Sequence, residues 1–327
     1  MLLAGDVGGT KTLLALFERD PVRPREVGIR TFPTTSFDSL RDIVDAFLQT
    51  EGLEAEQIEA ACFGVAGPVV DESARLTNVG WAVHASVIRT HHGIRDVRLL
   101  NDLEAMAWSV AVLTPKELEV LQAGENAPDG TAAIIAAGTG LGTAILHRAG
   151  GTFVPLASEG GHVDFAPRTP REIDLLNAML TTHQRVQLED VVSGPGLIDL
   201  HRFTHTGTCP AVPNGYDPAN APAAISTAAL ERRCASCIEA LDLFTSIYGS
   251  AAGNLALTAG ALGGVYVGGG IAPKILPALR NGRFMQAFRD KFPMESLLAR
   301  VPVQVILNPN AALLGAAVHA TSRHPSG

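Results

Sequence analysis

The chain opens, at residues 2–17, with the stretch LLAGDVGGTKTLLALF. Its two apolar runs flank a turn that contains a pair of glycines, and this arrangement predicts a β-hairpin whose turn is wide enough for a ligand. The same order of apolar run, glycine-rich turn and apolar run returns at residues 131–146 in TAAIIAAGTGLGTAIL. A repeat on the scale of a domain predicts two α/β lobes, each opening with a hairpin and continuing with strand–helix units.

Other segments extend this pattern. Apolar runs at residues 60–65 and 97–100 predict buried strands, and the second run leads directly into Asn101-Asp102. Apolar residues spaced for one helix face follow Ser36, so we expect a helix that has Ser36 as its N-cap and continues to Leu48. A further helix is expected near the C-terminus, where Gly315 permits close packing.

Composition narrows the class of protein. The chain has 327 residues, of which 46% are hydrophobic, so it can bury more than one core of ordinary domain size. Its net charge is -8 and it has no cluster of Lys and Arg, which argues against a nucleic-acid partner. An anionic ligand must therefore be held by backbone N–H groups, helix N-termini or a metal.

Location and redox state follow from similar observations. The first five residues lack the charge and the long apolar run of a signal peptide. The longest weakly polar stretch, residues 250–271, contains seven glycines and predicts a buried helix, turn and strand instead of a membrane span. Four cysteines lack the spacing of a disulfide framework. We therefore expect a cytoplasmic protein without a membrane partner.

Three glycine loops are candidates for binding phosphate or nucleotide between the two lobes. The first is not a P-loop, because Thr10 stands before Lys11 where that motif needs glycine. Its exposed N–H groups can still form an anion-binding nest, although an ordinary hairpin turn is the alternative. Asp6, at the end of the first strand, is a candidate ligand for Mg²⁺, directly or through water. The predicted cofactor-binding residues are Gly5, Asp6, Val7, Gly8, Gly9, Thr10, Gly138, Thr139, Gly140, Gly268, Gly269 and Gly270.

Eight motifs occur in a characteristic order along the chain. They are Gly5–Thr10, Gly64–Pro68, Leu76–Asn78 with Trp81, Leu100–Asp102, Ala137–Gly142, Glu159–His162, Ser193–Gly196 and Gly268–Gly270. This ordered set resembles the bacterial glucokinase family, within the superfamily of sugar kinases, actin and heat-shock ATPases. The resemblance implies a two-lobed, actin-like and ribonuclease H-like α/β ATPase fold with internal duplication and an interlobe cleft. It also implies a small lobe of residues 1–110 plus 301–327 and a large lobe of residues 111–300.

The resemblance further implies ATP-dependent phosphorylation of the 6-hydroxyl of glucose, the first step of glycolysis, with Mg²⁺ and in a homodimer. Alternatives are a kinase for another hexose or amino sugar, or an actin-like ATPase without sugar chemistry. A related sugar-sensing repressor would need a DNA-binding domain ahead of Asp6, for which we expect no room. Lys11 stands where much of the family has Asn, which leaves polyphosphate or another nucleotide open as phosphoryl donor.

Asp102 has two interpretations. Its local sequence, between an apolar strand and an apolar helix, favours a helix N-cap. A carboxylate at a strand end also suits a base that takes a proton from a sugar hydroxyl. The resemblance implies this second role, with Asn101 beside it binding the sugar.

The run Glu159-Gly-Gly-His162 predicts sugar contacts, because Glu accepts hydrogen bonds and neutral His both donates and accepts them. The resemblance implies that Glu159, His162 and Glu189 all contact glucose, although the local sequence around Glu189 favours a solvated helix residue. We also predict Asn78 as a substrate-binding residue. Nearby Trp81 has packing as its commoner use.

Zinc is not expected from the sequence. In a related sugar-kinase family, the histidine of this motif binds zinc together with closely following cysteines. Here no cysteine follows His162 until Cys209, and a structural zinc site needs four ligands. We interpret Cys234 and Cys237 as a buried pair of free thiols.

Overall fold

The computed structural model describes residues 1–76, 79–125, 127–149, 151–212 and 215–322. Two compact units are present: the first comprises Met1–Thr114, Thr152–Ala157 and the C-terminal residues from Asn308 on, and the second comprises Pro115–Gly151 and Ser158–Leu307. The lobe boundaries inferred from sequence remain a prediction. Among the described residues, no helix combines the length and the apolar character that spanning a bilayer requires.

The described residues alternate between strands and helices. The strands are β1 (Leu2–Val7), β2 (Lys11–Glu18), β3 (Arg25–Pro33), β4 (Ala60–Val65), β5 (Val69–Val70), β6 (Ser73–Leu76), β7 (Trp81–His84), β8 (Asp96–Asn101), β9 (Leu118–Gln122), β10 (Ala132–Ala137), β11 (Leu141–Ala149), β12 (Thr152–Ser158), β13 (Gly264–Gly268) and β14 (Val303–Ile306). The helices are α1 (Leu40–Glu51), α2 (Ala85–His92), α3 (Asp102–Ser109), α4 (Pro170–Met179), α5 (Gly194–Thr204), α6 (Ala221–Leu230), α7 (Ala235–Ala259), α8 (Leu276–Arg280), α9 (Arg283–Arg289), α10 (Glu295–Leu298) and α11 (Ala311–Thr321).

The first unit is organised around a five-stranded sheet in the order β3-β2-β1-β4-β8. The first hairpin is antiparallel, whereas β4 and β8 run parallel to β1. The register places Val7, Val65 and Asn101 side by side. The carboxyl ends of three parallel strands therefore reach the same edge of the sheet, where α/β proteins commonly bind ligands.

The second unit repeats this order. Strand β10 pairs antiparallel with β11 and parallel with β13, which pairs parallel with β14, and β9 lies antiparallel at the far edge. Hairpin followed by two parallel strands is thus the plan of both sheets. The predicted α/β class and its internal duplication are confirmed.

Side-chain alternation along β1 explains the packing of the first unit. Leu3 joins the core formed with α1, whereas Leu2 joins the core formed with α11 on the other face, and both are fully buried. The second unit has one large core around α7, in which Phe244 and Tyr248 are fully buried. Each such side chain contributes roughly 1.5–3 kcal/mol through its removal from water.

The start of α1 differs from the prediction. Ser39, not Ser36, is the N-cap, and its hydroxyl accepts a hydrogen bond from the Asp42 N–H at 3.3 Å. Ser36 instead ends a short 3₁₀ turn, Thr34–Ser36, which precedes the helix. Thr34 is fully buried in that turn, so tertiary contacts outweigh the capping preference of Ser36.

Candidate active site

The end of β8 positions the predicted base. Asn101 caps α3: its side-chain oxygen accepts from the Leu103 N–H at 3.0 Å, and its amide donates to the Gly67 carbonyl at 3.1 Å. Asp102 is the first residue of the helix and is exposed, and one of its oxygens also accepts from Leu103 N–H, at 2.8 Å. The cap predicted at Asp102 therefore lies one residue earlier. The partial positive charge of the helix N-terminus stabilises a carboxylate at this position.

Two glycines bring α3 close to its neighbours. A methyl group on Gly64 of β4 would stand 2.8 Å from the Ala105 Cβ, and one on Gly315 of α11 would overlap the Ala105 carbonyl oxygen. Close approach thus requires glycine at both positions, and the packing predicted for Gly315 is confirmed. Together they fix the helix that carries Asp102.

The first glycine turn is closed by Thr34. The Gly8 N–H donates to the Lys11 carbonyl at 3.0 Å, while the Thr34 hydroxyl donates to the Gly8 carbonyl at 2.8 Å and lies 2.8 Å from the Thr12 hydroxyl oxygen. Thr10 at the tip is exposed. Sequence reasoning missed Thr34, because only the folded chain brings the segment that follows β3 beside the turn.

The predicted residues around this turn differ in how deeply they are buried. Val7 is fully buried in the α1 core, and the backbone of Gly5 packs against the rings and methyl groups of Phe63 and Leu14. Gly8 and Gly9 are only half-buried. The part of this motif that can reach a ligand is therefore the segment from Gly8 to Thr10.

Asp6 has an unusual electrostatic environment. Burial, and then the negative charge of Asp102, raise the pKa of Asp6 to about 6, against a lowering by the Lys11 ammonium. The two carboxylates are therefore close enough to repel each other, which makes the site attractive to a cation. Lys11 is exposed at the start of β2 and acts electrostatically on Asp6.

In the second unit, two glycine turns follow adjacent parallel strands. Gly138 donates to the Gly140 carbonyl at 2.8 Å, and Ile271, just beyond Gly268–Gly270, donates to Ala137 at 3.2 Å. Gly269 has φ +84° and lies so close to Ala137 that no side chain fits. The buried Tyr248 hydroxyl donates to the Ile135 carbonyl at 3.2 Å. The structure therefore brings these two predicted loops together.

The N-terminus of α5 joins the same place. The Gly194 N–H donates to the Gly138 carbonyl at 2.8 Å, and Ser193 caps the helix by accepting from the Gly196 N–H at 3.0 Å. The N–H groups of Gly194 and Gly196 are thereby paired and Pro195 has none, so the start of α5 contributes the partial positive charge of a helix N-terminus, which favours an anion nearby. This contribution was absent from the predicted site, although its Ser-Gly-Pro-Gly motif was visible in the sequence.

Glu159 precedes the 3₁₀ turn Gly160–His162, which His162 ends, and both side chains are exposed. A Glu159 carboxylate oxygen lies 3.8 Å from His162 Nε2. His162 Nδ1 lies 2.8 Å from the Gln187 side-chain oxygen, which can orient the ring. Gln187 was missed because it lies 25 residues further along the chain. Gly161 is required for close packing, since a side chain there would overlap the Leu141 carbonyl.

Glu189 lies beside both of these features. Its N–H donates to the Gly161 carbonyl at 2.9 Å, and its Oε2 accepts from the Leu141 N–H, in the Gly138–Gly142 turn, at 2.7 Å. Among the described residues, no hydrogen bond reaches the other oxygen, Oε1. The side chain thus anchors the glycine turn with one oxygen. This anchoring role could not be read from the local sequence.

The remaining prediction falls partly outside the described residues. Asn78 lies outside them. Trp81 is half-buried and packs against the α1 core, in agreement with the packing role that its sequence favoured. The predicted residues of each unit otherwise gather at the carboxyl ends of its parallel strands.

Duplicated α/β units with glycine turns at the ends of their strands are typical of the sugar-kinase fold. A model of the glucokinase family matches residues 3–323. The glucokinase of Nostoc punctiforme is 39% identical over 97% of this chain and 98% of its own length. The chain belongs to the glucokinase family.

Solved structures agree. The crystal structure of a glucokinase from an Antarctic psychrotroph superimposes with a TM-score of 0.84 at 32% identity, covering 98% of each chain. A ROK-family glucokinase from Streptomyces griseus, in complex with glucose and AMPPNP, gives a TM-score of 0.66 at 21% identity and 98% coverage of each chain. The second similarity is one of fold alone.

Proposed function

We propose that this chain phosphorylates glucose, transferring the γ-phosphoryl group of ATP to the 6-hydroxyl. The observation that carries the proposal is the exposed Asp102 carboxylate at the end of a parallel strand, in a chain of the glucokinase family. The glucose and AMPPNP of the Streptomyces griseus complex support the choice of substrates.

Asp102 acts as the base. Its carboxylate takes the proton of the 6-hydroxyl as that oxygen forms a bond to the γ-phosphorus, and the bond from phosphorus to the β–γ bridging oxygen breaks to release ADP. Asn101 binds the sugar beside it while its cap and its bond to Gly67 hold the strand end still. A base fixed by a helix N-terminus loses little entropy on the way to the transition state.

Glucose specificity rests on hydrogen bonds from several side chains. We assign sugar hydroxyls to Glu159, His162 and Glu189, and Asn78 remains a further proposed contact. Gln187 orients His162, so the imidazole presents Nε2 to the substrate. A site built to pair hydroxyl groups rejects sugars that leave one of its polar groups unpaired.

The glycine turns are the proposed nucleotide-binding residues. Backbone N–H groups of Gly9 and Thr10 in the first unit and of Thr139 and Gly140 in the second are assigned to phosphate oxygens. Gly8 and Gly138 belong to the same proposed sites and shape the two turns through N–H groups that bond Lys11 and Gly140. Gly268–Gly270 are assigned to the nucleoside. Gly5 and Val7 support the first turn from the core. The N-terminus of α5 adds partial positive charge beside the second of these turns.

Mg²⁺ fits the first unit by charge. Asp6 is a hard oxygen donor, and its repulsion with Asp102 is relieved by a cation. Asp6 would hold the ion directly or through water, and the bound ion would neutralise charge on the phosphates. We further propose that the enzyme works in the cytoplasm, as a homodimer, in the first step of glycolysis.

The test is a coupled assay of ADP release over glucose, mannose, fructose, galactose and N-acetylglucosamine, with ATP and polyphosphate as donors. The expected result is turnover with glucose and ATP, and a product that glucose-6-phosphate dehydrogenase oxidises. Turnover restricted to another sugar would replace glucose with that sugar. ATP hydrolysis without any sugar dependence would instead support the ATPase alternative and reject the kinase proposal.

A further inference from the structure

Four potential metal ligands, remote in sequence, meet within the second unit. They are His201 in the last turn of α5, Cys209 in the following loop, Cys234 at the N-cap of α7 and Cys237 in its first turn. The imidazole nitrogen and the three sulfur atoms all lie within 4.8 Å of one another. All but the half-buried Cys234 are buried, so this is an enclosed cluster.

The sulfur separations have the size that a tetrahedral metal requires. Cys209 Sγ lies 3.8 Å from Cys234 Sγ and 3.8 Å from Cys237 Sγ. With Zn–S bonds of about 2.3 Å, the edge of a tetrahedron of sulfurs is about 3.8 Å. A disulfide would need a sulfur separation of about 2.05 Å, and all three thiols are free.

His201 provides an independent indication. Its side chain is fully buried, and Nε2 has no hydrogen-bond partner among the described residues. A buried polar atom without a partner is destabilising, so a function for it is expected. The other ring nitrogen, Nδ1, lies 2.9 Å from the Tyr216 hydroxyl. An Nδ1–H that donates to Tyr216 leaves the Nε2 lone pair available, as in metal-bound histidines.

We propose that His201, Cys209, Cys234 and Cys237 bind one structural Zn²⁺ ion in a closed Cys₃His site. Four protein ligands complete the tetrahedron and leave no position for substrate, as in structural zinc sites. Binding releases the three thiol protons to solvent. The site does not include His162, whose counterpart binds zinc in a related sugar-kinase family. It departs from the expectation that this chain binds no zinc.

Charge supports the assignment. Three thiolates and Zn²⁺ carry a formal charge of -1, and Cys234 and Cys237 lie at the N-terminus of the 25-residue helix α7. The partial positive charge at a helix N-terminus stabilises thiolates there. Thiolate-rich sets also select zinc over Mg²⁺, which prefers oxygen ligands.

The zinc would stabilise one end of the second unit. It connects the C-terminal end of α5 to the start of α7 and closes the loop that contains Cys209. The opposite end of α5 donates from Gly194 to the Gly138 glycine turn. Metal binding would therefore fix a helix that supports this turn, while taking no part in phosphoryl transfer.

The direct measurement is the metal content of the full chain, purified without affinity tags that bind metal and washed with a mild chelator. One zinc per chain is expected, with X-ray absorption giving three Zn–S distances of about 2.3 Å and one Zn–N distance of about 2.0–2.1 Å. Replacement by Co²⁺ should give the visible bands of a tetrahedral thiolate complex. A chain without zinc, after growth and refolding with added zinc, would overturn the proposal.

Matched variants locate the ion. Cys237→Ser and His201→Ala should lose zinc and lower Tm by at least about 5 °C, because metal binding stabilises only the folded state. Cys62→Ser, which replaces a buried thiol of the first unit, should keep the zinc. His91→Ala tests the other cluster with metal-ligand chemistry among the described residues, which consists of exposed Asp45 and His91 and buried His92. Zinc lost from His91→Ala but kept in Cys237→Ser would overturn the proposal.

Two further readouts cover variants that fail to fold. Mass spectrometry of the native wild type, alkylated without reductant, should show no disulfide among the three cysteines. A Cys234–Cys237 or Cys209–Cys234 disulfide in metal-free protein would establish a redox cluster and reject the zinc site. Strong chelation should lower the Tm of the wild type but leave that of soluble Cys237→Ser unchanged.

Discussion

The two units share one strand order but secure their glycine turns by different means. In the first unit the turn after β1 is held by uncharged groups: the Gly8 and Lys11 backbone and the Thr34 hydroxyl. In the second unit the turn after β10 is held by the carboxylate of Glu189 and by the backbone of Gly194.

This difference shows what duplication conserves. Topology places a turn at the end of the first strand in both sheets, because a hairpin followed by parallel strands leaves those ends at one edge. It does not determine the chemistry of that edge. The first unit carries the proposed base with Asn101 beside it, and the second carries the proposed sugar contacts Glu159, His162 and Glu189 together with two glycine turns.

The largest effect is expected from Asp102→Asn. The amide keeps the shape and can still accept from the Leu103 N–H, but it cannot take the proton of a hydroxyl. We expect kcat to fall roughly 10²–10⁴-fold, while glucose binding by calorimetry persists. Asp42→Asn, another carboxylate in the first turn of a helix, is the control and should keep kcat. Full turnover by Asp102→Asn would remove Asp102 as the base.

Two variants test how closely helices approach their neighbours in each unit: Gly315→Ala in the first and Gly253→Ala in the second. Each added methyl would overlap a facing carbonyl oxygen, of Ala105 and Phe288 respectively. Both should lower the free energy of unfolding by about 1–3 kcal/mol or more in urea titrations. Only Gly315→Ala should also lower kcat, since it displaces the helix of Asp102. Stabilisation, the ordinary effect of Gly→Ala in a helix, would contradict the packing argument.

Glu189→Gln separates anchoring of the turn from sugar binding. The amide oxygen can still accept from the Leu141 N–H, so thermal unfolding should change little. Replacing a charged acceptor by a neutral one should raise KM for glucose by roughly 10-fold. Glu239→Gln, which removes a half-buried charge on α7 that pairs with Arg171, should leave KM unchanged. An unchanged KM in Glu189→Gln would restrict Glu189 to its structural role.

The smallest effect concerns the uncharged anchor of the first unit. Thr34→Val keeps the side-chain volume but removes the hydroxyl between Gly8 and Thr12. We expect a loss of about 1–2 kcal/mol in stability and a modest rise in KM for ATP. Thr50→Val, which removes an exposed hydroxyl–carbonyl bond on α1, should cost less and leave KM as it is. Equal losses of stability in the two variants would show that the hydrogen bonds of Thr34 contribute no more than the exposed bond of Thr50.

Local patterns predicted the elements better than their exact ends. The hairpin at residues 2–17 and the parallel strands formed where apolar runs and glycines predicted them. The cap of α1 moved from Ser36 to Ser39 because Thr34 is buried under the first turn. The cap of α3 moved to Asn101, where the amide bonds both the helix and Gly67. Capping preferences are worth about 1 kcal/mol, so tertiary contacts of similar size can shift them.

Site residues were likewise predicted where the signal is local and missed where it depends on a distant partner. Asp102 and the Glu159–His162 turn lie in compact motifs, and the ordered motifs were enough to indicate a family. Gln187, Thr34 and the anchoring role of Glu189 depend on partners 22 to 48 residues away. No local pattern records such a pairing, because it forms only when separate segments pack.

The sequence by itself determined the duplicated α/β plan, the positions of the glycine turns and the family of the protein. These depend on residue type and short spacing, which act within one element or one turn. Tertiary structure alone decided which side chains meet: Glu189 on the Leu141 turn, Gly315 against Ala105, and His201 with three cysteines up to 36 residues away. Core packing brings these residues into contact, since it fixes the distance between segments that lie far apart in the sequence.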